Sequence, residues 1–179
     1  MLISTQKLYD AIIYYKDLGF EMIDVPLLVD LDVSNHTKPK GVPELYHDDG
    51  KVYIASAEQS FLQLHKEGKL GNGMFMAVTP CYRHERFVSE THYLMFMKLE
   101  LIVMGVPFPH SGEVLEDIVD SARTFFLSCG CDVNRWDDGK VIDLANSNGV
   151  ELGSYGERQT LDGTNYIFGT GCAFPRISL

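Results

Sequence analysis

Three stretches of the chain repeat apolar residues at the three- and four-residue spacing of an amphipathic helix. In the first stretch Leu8, Ile12 and Tyr15 form one stripe, and Ser4 or Thr5 is the expected N-cap. The second stretch opens with a Ser-x-x-Gln capping box, and the third ends at a glycine that suits a helix C-terminus. The predicted helices therefore cover residues 5–18, 56–70 and 111–130.

Shorter stretches rich in β-branched and aromatic residues predict strands, because Gly, Pro and Asp-Gly or Asn-Gly turns bound them. A polar stretch at 32–42 predicts a loop. The helices lie before and between hairpin-linked strands and do not alternate regularly with them, which favours an α+β fold with one mostly antiparallel sheet. The predicted strands are 20–25, two short strands around a turn at 48–50, 74–83, 93–104, 141–145, 150–155 and 166–168.

Composition indicates a folded protein, and charge argues against tight nucleic-acid binding by this chain alone. Of 179 residues, 45% are hydrophobic and 22% charged, which suffices for a core. The net charge is −10, and no run of Lys or Arg offers the basic surface that nucleic-acid binders usually carry. Apolar runs are too short for a membrane span, and charge precedes any signal-peptide core. The four cysteines fit reduced thiols, so a cytoplasmic location is expected.

The segment 81–100 carries the most informative polar pattern. Arg83 and Glu85 lie two residues apart on one predicted strand, and Phe96, Lys98 and Glu100 alternate on the next. Residues two apart on a strand share a face, so the antiparallel pair would present all five side chains on one surface. Such a surface suits a nucleotide, because arginine binds phosphate and an aromatic ring stacks on a base. A solvated face with cross-strand salt bridges is the alternative interpretation.

This segment resembles motif 2 of the class II aminoacyl-tRNA synthetases, in which Arg-x-Glu, a loop, His or Arg, Phe and an acidic residue follow in order. The spacing of Arg83, His92, Phe96 and Glu100 is similar to that of the asparaginyl and aspartyl enzymes, and Phe-x-Lys-x-Glu resembles the seryl enzymes. Four further segments resemble other family elements in the family's order. They are 18–30 (motif 1), 56–58 (the Thr-x-Glu loop), 151–158 (the metal-binding strand, also similar to ammonia-dependent asparagine synthetase) and 169–176 (motif 3).

The resemblance implies an ATP site. Arg83 would hold the α-phosphate and Glu85 the adenine amino group, and Phe96 would stack under the adenine. Arg176 would cover the other face of the base and reach the γ-phosphate, which His92 would also contact. Arg83 and Arg176 are thus the implied catalytic residues. The alternative interpretation of His92 is a surface loop residue.

The resemblance also implies a magnesium site and a substrate site. Glu151 and Ser154 would hold Mg²⁺ together with phosphate oxygens, and a bulge at Gly153 would let them converge from positions three apart. Glu58 would bind the substrate α-ammonium, or would only favour the first turn of its helix. Two more substrate-binding residues follow from motif 2, namely Lys98 and Glu100.

The sequence thus resembles a single class II synthetase-like catalytic domain over 1–179, without an anticodon-binding domain. It implies a homodimer built through 5–26 that forms an acyl-adenylate from ATP and an amino acid or similar carboxylate. The acceptor would be tRNA, bound weakly by this chain alone, or another molecule. Two alternatives stay open: a non-catalytic regulatory paralogue that binds nucleotide or amino acid, and an amide-forming ligase of the asparagine synthetase type.

Overall fold

A computed structural model describes residues 3–39, 41–85, 88–89, 92–107 and 109–178. Its central sheet has the strand order β1-β4-β5-β9-β8-β7-β6, and β2 pairs with β3 in a separate ribbon. Only the β1–β4 pair is parallel among the described strands. The elements are α1 (Thr5–Asp17), β1 (Glu21–Met22), β2 (Leu28–Val29), α2 (Leu31–Thr37), β3 (Val52–Tyr53), α3 (Ala57–Lys66), β4 (Gly73–Tyr82), β5 (Met95–Met104), α4 (Ser111–Ser128), β6 (Asn134–Asp137), β7 (Val141–Ala145), β8 (Glu151–Gln159) and β9 (Asn165–Phe174).

The expected α+β fold with a mostly antiparallel sheet is confirmed, and helices cover both faces of the sheet. On one face α1 and α4 bury a core that includes Tyr15, Phe126 and Leu99. On the other face α3 packs through Phe61 against the Ile102 side of β5. No helix within the described residues is both long and apolar enough to cross a membrane.

Strand β9 contains a bulge opposite β5, and Gly171 is the extra residue. Two tyrosine hydroxyls from the face covered by α1 and α4 reach its backbone. Tyr155 Oη donates to the Thr170 carbonyl at 2.6 Å, and Tyr15 Oη donates to the Gly171 carbonyl at 2.9 Å. Both rings are fully buried, so these hydroxyls satisfy main-chain carbonyls that water does not reach.

Glycines in β8 and β9 make room for the same rings. A Cβ atom at Gly153 would lie 2.4 Å from the Tyr155 hydroxyl oxygen, and one at Gly169 would lie 2.7 Å from the Tyr155 ring. A Cβ at Gly171 would lie 2.8 Å from the ring of Tyr15. These separations are shorter than non-bonded carbon atoms tolerate. The glycines of the motif 3 segment therefore have a steric role in addition to marking a bend.

Three elements differ from the sequence prediction. The two short strands expected around the turn at 48–50 are reduced to β3 and an isolated bridge between Tyr46 and Val52, and β3 pairs with β2. Most of α2 lies in the expected loop at 32–42, and this helix buries Val33 and Ser34. Only one of these two residues is apolar, so the sequence shows no helical repeat of apolar positions here.

Strand β6 was not expected, because all four of its residues are exposed and leave no apolar pattern; it pairs with β7, and its Arg135 forms an ion pair with Glu116 of α4. At the third predicted helix, His110 takes the N-cap position and Ser111 is the first helical residue.

We predict that Tyr155→Phe lowers the free energy of unfolding by about 1–3 kcal/mol, because it leaves the buried Thr170 carbonyl without this donor. Urea unfolding followed by circular dichroism measures the change. Tyr46→Phe is the matched control, since Tyr46 is 62% exposed and the same atom is removed. Equal stability of the two variants would contradict the bracing role of Tyr155.

Candidate active site

The candidate site lies on the sheet face beneath α3, where alternate residues of β5 point. Phe96 lies opposite Cys81 of β4, Lys98 opposite Thr79, and Glu100 opposite Ala77, as expected for adjacent antiparallel strands. Strand β4 ends at Tyr82, earlier than the sequence predicts. Arg83 continues the ladder by one hydrogen bond, from its N–H to the Leu94 carbonyl at 3.0 Å.

All five residues implied in ATP binding line one small cavity. Its free space is only about 10 Å³. The guanidinium carbon of Arg83 lies 4.9 Å from the ring centroid of Phe96, so this cation covers the ring face on which a base would stack. A nucleotide must therefore displace the Arg83 side chain to enter. The lining is Arg83, Glu85, His92, Tyr93, Phe96, Ala173, Phe174, Pro175 and Arg176.

Arg176 closes this cavity from the end of β9. It lies in a short 3₁₀ turn, Arg176–Ser178, and its Nη1 is 2.8 Å from Glu151 Oε1. The same nitrogen donates to the Glu151 carbonyl at 3.4 Å. This ion pair joins the motif 3 segment to the start of β8. The Glu151 carboxylate, which the resemblance implies in metal binding, is thus already paired with an arginine.

The two implied metal ligands do not contact each other directly. Strand β8 has the expected irregularity between them, but the register makes Leu152 the extra residue in place of Gly153. Ser154 lies opposite Asp143 of β7, and its hydroxyl lowers the pKa of that carboxyl. Within the described ranges, no group of three His, Cys, Asp or Glu side chains is arranged to hold a metal ion.

Asp143 is a site residue that the sequence interpretation missed. Burial raises the pKa of its carboxyl, the Ser154 hydrogen bond opposes that shift, and the nearby negative charge of Glu151 adds to it. Trp136 of β6 lies directly opposite Asp143 on the same face and is 68% exposed. No sequence motif singles out Asp143; only the pairing of β7 with β8 brings it next to Ser154.

Glu58, the implied ammonium ligand, is buried in an ion pair. Arg158 Nη1 contacts its two carboxylate oxygens at 2.8 and 2.9 Å, and Tyr166 Oη donates to Oε1 at 2.8 Å. Burial raises the pKa of Glu58, and the charge of Arg158 opposes the shift. The guanidinium of Arg158 in turn lies 4.1 Å from the Phe168 ring centroid. The sequence interpretation assigned no role to Arg158.

Arg158 also reaches open space. Two larger cavities, of about 530 and 700 Å³, open at the far end of β8, and Arg158 lines both of them. Its side chain is 35% exposed, whereas that of Glu58 is 7% exposed. Because these cavities are larger than the one beside Phe96, the candidate site is not the largest cavity among the described residues.

The other implied substrate residues form a second buried ion pair. Lys98 Nζ is 2.6 Å from Glu100 Oε1, and Ser56 Oγ donates to Glu100 Oε2 at 2.5 Å. Glu100 is 1% exposed. Each carboxylate under α3, that of Glu58 and that of Glu100, therefore has a cation of its own.

No protein-family model and no curated protein sequence matches the chain, but its fold matches solved structures. A seryl-tRNA synthetase from Pyrococcus horikoshii, complexed with ATP, gives a TM-score of 0.79 at 18% identity and covers 97% of this chain and 49% of that one. PylSc, a pyrrolysyl tRNA synthetase from Desulfitobacterium hafniense, gives 0.74 at 16% identity over 97% and 64%. The cytoplasmic serine-tRNA ligase from Naegleria fowleri, in complex with AMP, gives 0.74 at 16% identity over 96% and 46%.

These matches cover nearly all of this chain. The protein therefore has the fold of a class II aminoacyl-tRNA synthetase catalytic core, as its sequence motifs imply. The chain spans about half to two thirds of the length of the structures it matches.

We predict that Arg158→Met lowers the free energy of unfolding by about 3–5 kcal/mol, because it leaves the buried Glu58 carboxylate without its cation. Adding Glu58→Gln should recover part of that loss, as the second change removes the stranded charge. Urea unfolding measures both variants. Arg123→Met, at an exposed arginine of α4, serves as the control and should stay within about 0.5 kcal/mol of the unsubstituted protein.

Proposed function

We propose that the protein activates an amino acid or similar carboxylate with ATP. A carboxylate oxygen attacks the α-phosphorus, the bond from that phosphorus to the bridging oxygen breaks, and pyrophosphate leaves with the bonding electrons. The observation that carries the proposal is the single cavity lined by all five residues that the motifs imply in ATP binding. No general base is required, because a carboxylate is already a nucleophile, so positioning and electrostatics carry the reaction.

The side chains of this cavity fit ATP. When a base displaces Arg83 from the Phe96 ring, the guanidinium is released next to the position of the α-phosphate, where negative charge grows in the transition state. Arg176, Glu85 and His92 also line the cavity. Two arginines and an aromatic ring in one cavity suit a base and its phosphates.

The oxygen donors at the start of β8 fit Mg²⁺ bound with a nucleotide. Glu151, Ser154 and Asp143 offer only oxygen atoms, which this hard cation prefers, and Mg²⁺ usually keeps water and substrate phosphates as its remaining ligands. The metal would neutralise phosphate charge. Glu151 would exchange its Arg176 partner for the metal, which would free Arg176 for the γ-phosphate.

The Glu58 carboxylate under α3 suits the amino group of the substrate. Glu58 is a buried anion, and an incoming ammonium would share it with Arg158 and Tyr166, which line the open cavity at the far end of β8. Lys98 and Glu100 are paired with each other nearby under the same helix. The acceptor of the acyl group is tRNA or another molecule, and the charge of −10 disfavours tight tRNA binding by this chain alone.

The test is ATP–pyrophosphate exchange measured separately with each amino acid. We expect one or a few amino acids to support exchange, and Arg83→Ala to weaken ATP binding by about 1.5–3 kcal/mol through loss of a charge-assisted contact. Lys69→Ala is the control, since Lys69 is an exposed cation beyond α3. ATP binding without exchange would indicate a nucleotide-binding regulator, and amide formation with ammonia would indicate the asparagine synthetase type of ligase.

We predict that Glu151→Gln abolishes most of the exchange activity and raises the Mg²⁺ concentration needed for half-maximal rate. The amide keeps the size of the side chain but removes the charge that holds a divalent cation. A titration of rate against Mg²⁺ measures the shift, and Glu157→Gln on the same strand is the control. Retention of full activity at ordinary Mg²⁺ would rule out Glu151 as a metal ligand.

We also propose that the domain is a homodimer through the segment 5–26, whose α1 and β1 leave apolar side chains exposed. Tyr9 is 60% exposed, and Ile13, Leu18 and Met22 are 39–42% exposed. A cluster of this kind is typical of a surface that meets its own copy across a two-fold axis.

Sedimentation should therefore give about twice the chain mass of 20.1 kDa. Tyr9→Lys with Ile13→Lys should give a monomer, because two charges cannot be desolvated in such an interface. Leu161→Lys, at an exposed leucine between β8 and β9, should leave the dimer intact. A monomeric unsubstituted protein at micromolar concentration would refute the dimer.

A further inference from the structure

The start of α3 is tied to the central strand β5 by a chain of polar contacts. Lys98 Nζ contacts one oxygen of Glu100, and the Ser56 hydroxyl donates to the other. The same hydroxyl accepts the Glu58 N–H at 3.4 Å, as the N-cap of the helix. Glu58 is thus linked through its own backbone to a carboxylate on the sheet.

Glu100 has no oxygen left for a substrate. Oε1 is taken by Lys98 and Oε2 by Ser56, and the whole residue is 1% exposed. Each carboxylate oxygen has further lone pairs, but the burial of Glu100 prevents a substrate from reaching them. A substrate ammonium therefore meets Glu58, whose partners Arg158 and Tyr166 lie at the edge of open space.

Charge explains why a glutamate with its own lysine suits this position. Burial is the main cause that raises the pKa of Glu58. The negative charge of the nearby Glu100 raises it further. Lys98 neutralises the charge of Glu100. An anion therefore holds the helix start, but the Lys98–Glu100 pair adds no net charge next to Glu58. A neutral anchor would bind the Ser56 hydroxyl less strongly, since hydrogen bonds to ionised groups are about twice as strong.

We propose that Glu100 is a positioning residue that fixes the N-terminus of α3 through Ser56, and so aims Glu58 at the amino group of the substrate. This inference rests on the proposed function for the identity of the substrate. The tether itself does not, so the two can be tested separately.

The first arm of the experiment is amide hydrogen exchange by NMR without substrate, in Ser56→Ala, Glu100→Gln and the double variant. We expect exchange at the Glu58 amide to rise about tenfold in each single variant. The double variant should exchange no faster than the faster single one, because both changes cut the same tether. Ser56→Thr should stay near the unsubstituted rate, since it keeps the hydroxyl. Glu113→Gln, at the exposed first turn of α4, is the control.

The second arm is pyrophosphate exchange with the amino acid that supports it. The KM for the amino acid should rise about tenfold in Ser56→Ala and Glu100→Gln, while the KM for ATP stays within about twofold. A merely structural defect would change both constants. Ser56→Ala keeps the experiment informative if Glu100→Gln fails to fold.

The outcomes separate the two claims. A raised amino-acid KM in Glu100→Gln with unchanged exchange at Glu58 would mean direct substrate contact and would overturn the positioning role, as would no change in either arm. If the unsubstituted protein catalyses no exchange reaction, the proposed function fails, and the NMR arm still decides whether Glu100 holds the helix.

Discussion

The main-chain carbonyls at the bulge of β9 are hydrogen-bonded by tyrosine hydroxyls from the side of the sheet opposite the candidate site. Tyr15 comes from α1 and Tyr155 from β8, so the bulge depends on two distant parts of the chain. The bulge lies in the strand that leads to Arg176, one of the residues that line the candidate cavity. The glycines of β8 and β9 follow from the space that the two tyrosine rings need.

A second constraint concerns charge. Three carboxylates of the candidate site have an arginine or lysine partner: Arg158 pairs with Glu58, Lys98 with Glu100, and Arg176 with Glu151. Burying an uncompensated charge would cost far more than any of these pairs contributes. An ammonium or a metal that binds one of these carboxylates must rearrange its existing ion pair. The free energy of binding is then the difference between the new ionic contacts and those that are lost.

The sequence was sufficient for the long elements and for grouping the five residues that now line one cavity. Strong periodicity gave α1, α3 and α4, and the Phe-x-Lys-x-Glu spacing placed its side chains on one face because alternation along a strand is a fixed property of a sheet. Arg83 and Glu85 lie beyond the end of β4, so alternation does not account for their position. What the sequence could not supply was the pairing between distant elements. Asp143 becomes a neighbour of Ser154 only through the register of β7 and β8, and Arg158 meets Glu58 across 100 positions of sequence. The exposed strand β6 lacked any apolar pattern and was missed for that reason.

That exposed strand carries Trp136, the one tryptophan of the chain, directly opposite Asp143 on the face of the candidate site. Its indole is largely in water, so its emission is sensitive to charge and solvent at this edge of the sheet. The protein thus contains its own optical reporter next to the proposed metal ligands. The proposed binding of nucleotide and metal can therefore be tested at equilibrium and in rapid mixing without attaching a dye, even in variants that catalyse nothing.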